Sequence, residues 1–125
     1  MTGRRQWRVL IVDDFAIFRE TIKAVLALDP RFNVVAEAGQ GEEAVRLAQQ
    51  ALIDLVLMDL HLPGINGLAA TEAIKARYPQ ITILILSNDW SPAYERRAKA
   101  VGVRARLAKQ TLSLQALHRA LDLDH

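Results

Sequence analysis

Apolar and polar positions in this chain follow two periods that alternate from one end to the other. Five short runs are apolar at nearly every position or at every second one: residues 7–12 (WRVLIV), 32–38, 53–58, 81–86 (ITILIL) and 103–107. Runs of this length, rich in Val, Ile and Leu, read as strands, and the unbroken ones as strands covered on both faces. Between them the apolar residues recur at helical spacing. Ile22, Val25 and Leu26 mark a helix over residues 16–28, and Ala44, Leu47, Ala48 and Ala51 one over residues 42–51. A third helix is expected over residues 68–77. Tyr94, Ala98 and Val101 mark a fourth over residues 92–101, and Leu114, Leu117 and Leu121 a fifth over residues 113–121. The punctuation agrees: Asp29-Pro30, Gly39 with Gly41, Pro63-Gly64, Asn66-Gly67, Tyr78-Pro79 and Gly102 fall at the boundaries.

Strands alternating with helices predict an α/β fold with helices on both faces of an open parallel sheet. Right-handed crossovers leave few topologies. For five strands the flavodoxin-like order 2-1-3-4-5 is the common one, and it opens a crevice between the first and third strands, beyond their C-terminal ends.

Composition narrows the function classes. The 125 residues make one domain, residues 1–125, with room for a continuous core. A net charge of +2 is too small to argue for nucleic acid. There is no cysteine, which excludes disulfides, thiolate metal sites and a cysteine nucleophile and fits a reducing cytoplasm. The apolar run after the basic N-terminus breaks at Asp13-Asp14, too short for a signal peptide or a membrane span. No helix-turn-helix follows the fifth helix, so direct DNA binding has no residues of its own here.

The chemistry lies at the strand ends. Strand one runs out at Asp13 and Asp14, strand three at Asp59, strand four at Ser87, and strand five near Lys109. Three carboxylates on one rim repel one another, by roughly 4 kcal/mol for two unit charges about 4 Å apart at an effective dielectric near 20. A divalent cation removes that penalty. With oxygen ligands only, Mg²⁺ fits better than Zn²⁺. Such a site suits phosphoryl transfer: Asp59 as nucleophile, Lys109 and the metal neutralising charge, Ser87 donating a hydrogen bond. Each residue alone has a plainer reading. Asp14 caps the first helix, Asp59 is a strand-end turn residue, Ser87 caps a loop, and Lys109 is a solvated lysine. Their joint position carries the site.

These segments, VLIVDD at Val9–Asp14, MDLHLPGINGL at Met58–Leu68, ILS at Ile85–Ser87 and the later Lys109, resemble the receiver domain of two-component response regulators over nearly the whole chain. The wording around Asp59, and Ser rather than Thr after strand four, are most similar to the LuxR/NarL type. The resemblance implies a CheY-like fold and Mg²⁺-dependent phosphorylation of Asp59 by a histidine kinase, a phosphotransfer protein or a small phosphodonor. It implies Mg²⁺ bound by Asp14, Asp59 and the backbone carbonyl of His61, with Asp13 holding metal-bound water. Ser87 and Lys109 would contact the phosphoryl oxygens, and the face formed by helix four, strand five and helix five would shift to control an output such as transcription. Homodimers through that face or through helices one and five are expected, in the cytoplasm. The phosphoryl group would be lost by slow self-dephosphorylation, without enzymatic turnover.

Three positions depart from the family pattern. Arg106 stands where Tyr or Phe is usual, and is expected to reach an acidic group or to alter the switch. Gln110 follows Lys109 where Pro is frequent, leaving the loop geometry open, and Ala105 replaces a common Gly. His61 and Asp89 lie two residues beyond Asp59 and Ser87, positions that tune phosphoryl loss in the family; the Asp89 carboxylate is expected to orient the attacking water. Trp90 either reports on the site or staples the fourth helix. The basic residues Arg96, Arg97, Lys99, Arg104 and Arg106 form a solvated face or one that suits an acidic partner or a second receiver. Other classes compete. A haloacid-dehalogenase-type phosphatase needs an Asp two residues after its nucleophile at strand one. A flavin module needs a Ser/Thr/Gly loop there. A pseudo-receiver docks without phosphorylation, which the intact acidic set and Lys109 argue against.

Overall fold

A computed structural model describes residues 6–123. Five strands, β1 (Trp7–Val12), β2 (Phe32–Ala38), β3 (Leu55–Asp59), β4 (Thr82–Leu86) and β5 (Ala105–Leu107), alternate with five helices. The helices are α1 (Ala16–Leu26), α2 (Gly41–Gln50), α3 (Gly67–Arg77), α4 (Pro92–Val101) and α5 (Leu114–Ala120). All strands are parallel, in the order β2-β1-β3-β4-β5, as expected.

The two-residue period of the strands sorts the core into two layers. Leu10, Val12, Val56, Met58, Ile83 and Ile85 pack toward α2, α3 and α4 with Ala44, Ala48, Ala70, Ile74 and Ala98. Val9, Ile11, Leu55, Leu57, Leu84 and Leu86 face the other way, onto Ile22 and Leu26 of α1 and Leu117 of α5. Most of these side chains are fully buried, each worth roughly 1.5–3 kcal/mol over exposure. The central strands cannot slip by one residue without exchanging both layers.

Element ends differ from the sequence expectation where side chains or caps take over backbone partners. β3 starts at Leu55 instead of residue 53: the Asp54 carboxylate accepts the Arg8 N–H at 2.9 Å, so a side chain stands in for part of the ladder. β5 starts at Ala105 instead of residue 103 because the Val103 N–H bonds back to Ala98 at the end of α4. There Gly102 takes the left-handed conformation (φ +95°) that ends the helix. α1 stops at Leu26, two residues early: the N–H groups of Leu28 and Asp29 reach back three residues, to Val25 and Leu26, tightening the last turn. The basic residues at positions 4 and 5 and the last two positions lie outside the described residues.

At the end of the sheet opposite the acidic rim, a buried ion cluster fastens α5 to the α1–β2 turn. The Asp29 carboxylate accepts from Arg31 Nη2 at 2.7 Å and bonds His118 Nε2 at 2.8 Å. The Arg31 guanidinium holds the Asp29 carboxyl well below the usual carboxylate range, against the cost of burial. The lowered pKa makes ionised Asp29 stabilising above the unfolded value near 4, and that contribution is lost as the pH falls toward the folded value. Asp29→Asn is expected to destabilise the fold by about 1.5–3 kcal/mol at pH 7, since a neutral amide replaces the carboxylate that accepts the charge-assisted bond from Arg31. The gap to the natural protein should narrow as the pH drops below about 4, which urea unfolding at a series of pH values reads directly.

Candidate functional site

The acidic rim is built by strand ends. The Asp13 N–H continues the β1–β2 ladder to Ala38 at 3.0 Å, and its carboxylate turns back to accept the Phe15 N–H at 2.8 Å. Asp13 therefore opens α1, and Asp14 is not its cap: Phe15 holds the N-cap position with no side-chain bond, and Asp14 projects into solvent. Asp59 ends β3 and is 5% exposed. Just past it the Gly67 N–H bonds the Leu60 carbonyl at 2.8 Å, seating the start of α3 against the strand end. Asn66 caps that helix, its side-chain oxygen accepting from the Ala69 N–H at 2.9 Å.

Carboxylate oxygens of Asp13, Asp14 and Asp59 lie within 4.8 Å of one another. Lys109, in the turn after β5, reaches across the sheet and bridges two of them: Nζ is 2.7 Å from Asp13 Oδ2 and 3.3 Å from Asp59 Oδ1. Burial pushes the Asp59 carboxyl above its ordinary value; Lys109 pulls it down and Asp13 pushes it up further. Burial acts to lower the Lys109 pKa, but its bond to Asp13 and the charge of Asp59 outweigh it, so the ammonium is held charged. The pair Asp13–Lys109 is thus settled, while Asp59 carries an uncomfortable buried charge at the floor of a cleft of about 290 Å³. Asp14, Phe15, His61, Ser87, Asn88, Asp89 and Lys109 also line that cleft. An all-oxygen set of three carboxylates with one ammonium fits a hard divalent cation and leaves room for an anionic group.

The structure brings together Asp13, Asp14, Asp59, His61, Ser87, Asp89 and Lys109. Ser87 is buried, but its hydroxyl serves its own loop, donating to the Asp89 carbonyl (2.8 Å) and accepting the Asp89 N–H (3.0 Å). Asp89 bonds His61 across the mouth of the cleft, Oδ2 to Nε2 at 2.9 Å. Trp90 and Arg106 sit one step further out. Trp90 Nε1 donates to Glu95 Oε1 at 2.8 Å, so the residue before the N-cap is joined to the fourth helical position by a hydrogen bond where an apolar contact would make a staple.

Among the described residues Arg106 meets no acidic group. Its Nη1 donates to the Ser87 carbonyl at 3.3 Å and its guanidinium lies 5.5 Å over the Trp90 ring. The Lys109–Gln110 link needs no special geometry: no peptide among the described residues is cis, and residues Lys109–Thr111 form a 3-10 turn. The Gln110 N–H donates to Asn88 Oδ1 at 2.9 Å, a bond proline has no N–H to make. Three basic residues of the outer face are paired where they stand, Arg97 with Glu72, Lys99 with Glu95 and Arg104 with Asp122.

Sequence reasoning missed two supports. Phe18 places its ring 4.7 Å from Lys109 Nζ; it lies one helical turn beyond Asp14, a spacing that was available as a signal. Asn88 and Gln110 are 22 residues apart and meet only once β4 and β5 pair, so nothing local announced them.

Residues 9–122 match the family model described as the response regulator receiver domain. The chain is 37% identical over 103 residues to the transcriptional regulatory protein DegU of Brevibacillus brevis, covering 82% of this chain and 44% of that protein. It is 40% identical over 85 residues to a protein-glutamate methylesterase/protein-glutamine glutaminase of Pyrococcus abyssi, covering 68% of this chain and 23% of that one. The chain spans less than half the length of either relative. Among solved structures, the signal receiver domain of the response regulator NarL from Mycobacterium tuberculosis superposes with a TM-score of 0.86 at 30% identity, over 94% of this chain and 95% of that one.

Proposed function

This chain belongs to the response regulator receiver domain family of two-component systems, whose general function is control by phosphorylation, and from that membership we propose that Asp59 is its phosphoacceptor. An Asp59 carboxylate oxygen attacks the phosphorus of a histidine kinase or phosphotransfer phosphohistidine, or of an acyl phosphate. The bond from phosphorus to the donor's nitrogen or oxygen breaks, its electron pair leaves with the donor, and an acyl phosphate forms on Asp59. The observation that supports this most is Lys109 spanning Asp13 and Asp59 at the floor of an open cleft. Lys109 is the cation already in place for the incoming phosphoryl oxygens, 3.3 Å from the Asp59 carboxylate.

Asp13, Asp14 and Asp59, with the His61 backbone carbonyl, would hold Mg²⁺, which when bound neutralises charge on the phosphoryl oxygens. Ser87 would turn from Asp89 to donate to one of those oxygens. A new charge of about −1.5 to −2 beside the β4–α4 loop biases a two-state equilibrium, read out on the face of α4, β5 and α5 by an output region, a partner or a second copy. No helix among the described residues is long and apolar enough to cross a membrane. The partner that supplies the phosphoryl group is a histidine kinase or phosphotransfer protein bound by docking, and the proposed place of action is the cytoplasm. Relatives include transcription regulators and also a methylesterase. In this chain the site supports one phosphorylation followed by slow self-dephosphorylation, without turnover. A docking role without phosphorylation is disfavoured by the intact acidic set and Lys109.

The test is intact mass after incubation with Mg²⁺ and acetyl phosphate. One phosphoryl adduct that EDTA prevents supports the reading; a folded protein that takes none at any Mg²⁺ concentration overturns it. The Asp89 carboxylate overhangs the cleft and is proposed to orient the water that later removes the phosphoryl group. Asp89→Ala should then lengthen the phosphoryl half-life severalfold in a radiolabel decay assay, and an unchanged half-life counts against that role.

A further inference from the structure

The loop from β4 to α4 is tied down residue by residue. The Ser87 hydroxyl is bonded twice to Asp89, Asn88 to the Gln110 N–H, Asp89 to His61, and Trp90 to Glu95. Two tethers cross from β5: the Leu107 carbonyl accepts the Ser87 N–H at 3.0 Å, and Arg106 Nη1 donates to the Ser87 carbonyl at 3.3 Å with the guanidinium stacked 5.5 Å from the Trp90 ring centre. A single side chain thus holds both ends of the loop at once. β5 is itself fixed to β4, with Arg106 opposite Ile85 and Leu107 opposite Leu86, so Arg106 acts from a rigid base.

We propose that Arg106 is a positioning residue for phosphoryl uptake, holding the Ser87–Trp90 loop in the arrangement that keeps the Ser87 hydroxyl on Asp89 and away from Asp59. This rests on Asp59 being the phosphoacceptor. A hydroxyl has one proton to donate; while it goes to the Asp89 carbonyl it cannot serve a phosphoryl oxygen. Arg106 holds the Ser87 carbonyl and the Trp90 ring, on either side of the Asp89 carbonyl that takes this proton, so a loop movement that frees the hydroxyl stretches both contacts. Releasing Arg106 in turn unloads the Trp90 face. The restraint is weak by construction. Arg106 is exposed, its hydrogen bond is long, and an exposed cation–π contact is modest. That suits a catch released in each phosphorylation cycle. It also accounts for Arg at this position: only a long side chain with a planar, donor-rich head reaches a carbonyl and covers an indole together.

The test compares the natural protein with Arg106→Ala and Arg106→Lys, each first checked for an unchanged circular dichroism spectrum. Uptake from acetyl phosphate with Mg²⁺ is followed by intact mass. Trp90 emission is followed on adding beryllofluoride, with Trp90→Phe to subtract the signal of Trp7. Arg106→Ala should take up the phosphoryl group ~fivefold to sixtyfold faster, the span covered by one exposed cation–π contact plus one hydrogen bond to a neutral carbonyl. Its Trp90 response should shrink, because no guanidinium remains to leave the ring. Arg106→Lys should fall between the two and supplies the comparison if the alanine variant does not fold. Uptake at or below the natural rate in a folded Arg106→Ala protein, or an undiminished Trp90 response, overturns the proposal while leaving Asp59 as acceptor. No adduct on the natural protein overturns both.

Discussion

Asp59→Asn is expected to abolish phosphoryl uptake and at the same time to raise the stability of the metal-free protein. The loss of uptake follows from chemistry. An amide oxygen is a poor nucleophile and forms no stable acyl phosphate, while Asn keeps the size of Asp, so the cleft is preserved. The gain in stability follows from the environment. Burial raises the Asp59 pKa, with Asp13 adding to it and Lys109 only partly offsetting it. A carboxyl whose folded pKa lies above its unfolded one destabilises the fold once the pH is above both, because the charged form is worse off inside than in the unfolded chain. Asn carries no such charge. Lys109 loses a contact of 3.3 Å but keeps the shorter one to Asp13 at 2.7 Å. The expected result at pH 7 is an unfolding midpoint above that of the natural protein. Mass spectrometry and thermal unfolding in EDTA check the two halves separately. An Asn variant that still takes an EDTA-sensitive adduct would move the acceptor elsewhere, and one that melts lower would mean that the Lys109 contact outweighs the buried charge. The two effects together would mark a functional site kept at a cost in stability, since the buried charge goes when the proposed reacting group goes.

Strand-end carboxylates could be placed from sequence because the determinants are local and periodic. An apolar run says where a strand is, and in a parallel sheet every strand points the same way, so the residues after Val12, Met58, Leu86 and Leu107 must share one rim. Strand and helix ends were less accessible. Asp54 replaces a ladder bond with its carboxylate, and Val103 is recruited to finish α4; each depends on a partner from another element. Arg106 shows the same limit at the site. Its sequence position said that an aromatic ring was missing, but not that Trp90 would supply one from the facing loop. The residues that carry charge for chemistry announce themselves by position. Those that hold loops do so through pairings 19 to 28 residues apart, such as Arg106 with Ser87 and His61 with Asp89, and become visible only with β3, β4 and β5 in register.

The tightest constraint on the site comes from a residue with no chemistry. A Cβ at Gly67 would sit 2.2 Å from the Asp59 carbonyl oxygen and 3.0 Å from Met58 Cγ. The obstacle is the backbone of the proposed acceptor itself, which is fixed on both sides: β3 is paired with β1 and β4, and the Gly67 N–H is bonded to Leu60. Relief therefore needs α3 to lift off the strand end. That would pull its buried residues Leu68, Ala70 and Ile74 from the layer they share with Met58. Overpacking a core typically costs 1–3 kcal/mol when side chains can give way. Here backbone must move, so Gly67→Ala is expected to lose at least ~3 kcal/mol, the top of that range, with a midpoint lower by roughly 10 °C or more. Such a loss is a large fraction of the stability of a typical domain. Gly67→Ser should behave alike, because the first added atom is the one that clashes, whereas Gly39→Ala, whose Cβ would meet only the end of Arg19 at 3.9 Å, should stay near the natural midpoint. Urea unfolding of the three variants measures the contrast. If Gly67→Ala were as stable as Gly39→Ala, α3 would not bear on the Asp59 backbone, and the placement of the proposed acceptor would owe nothing to the close approach at residue 67.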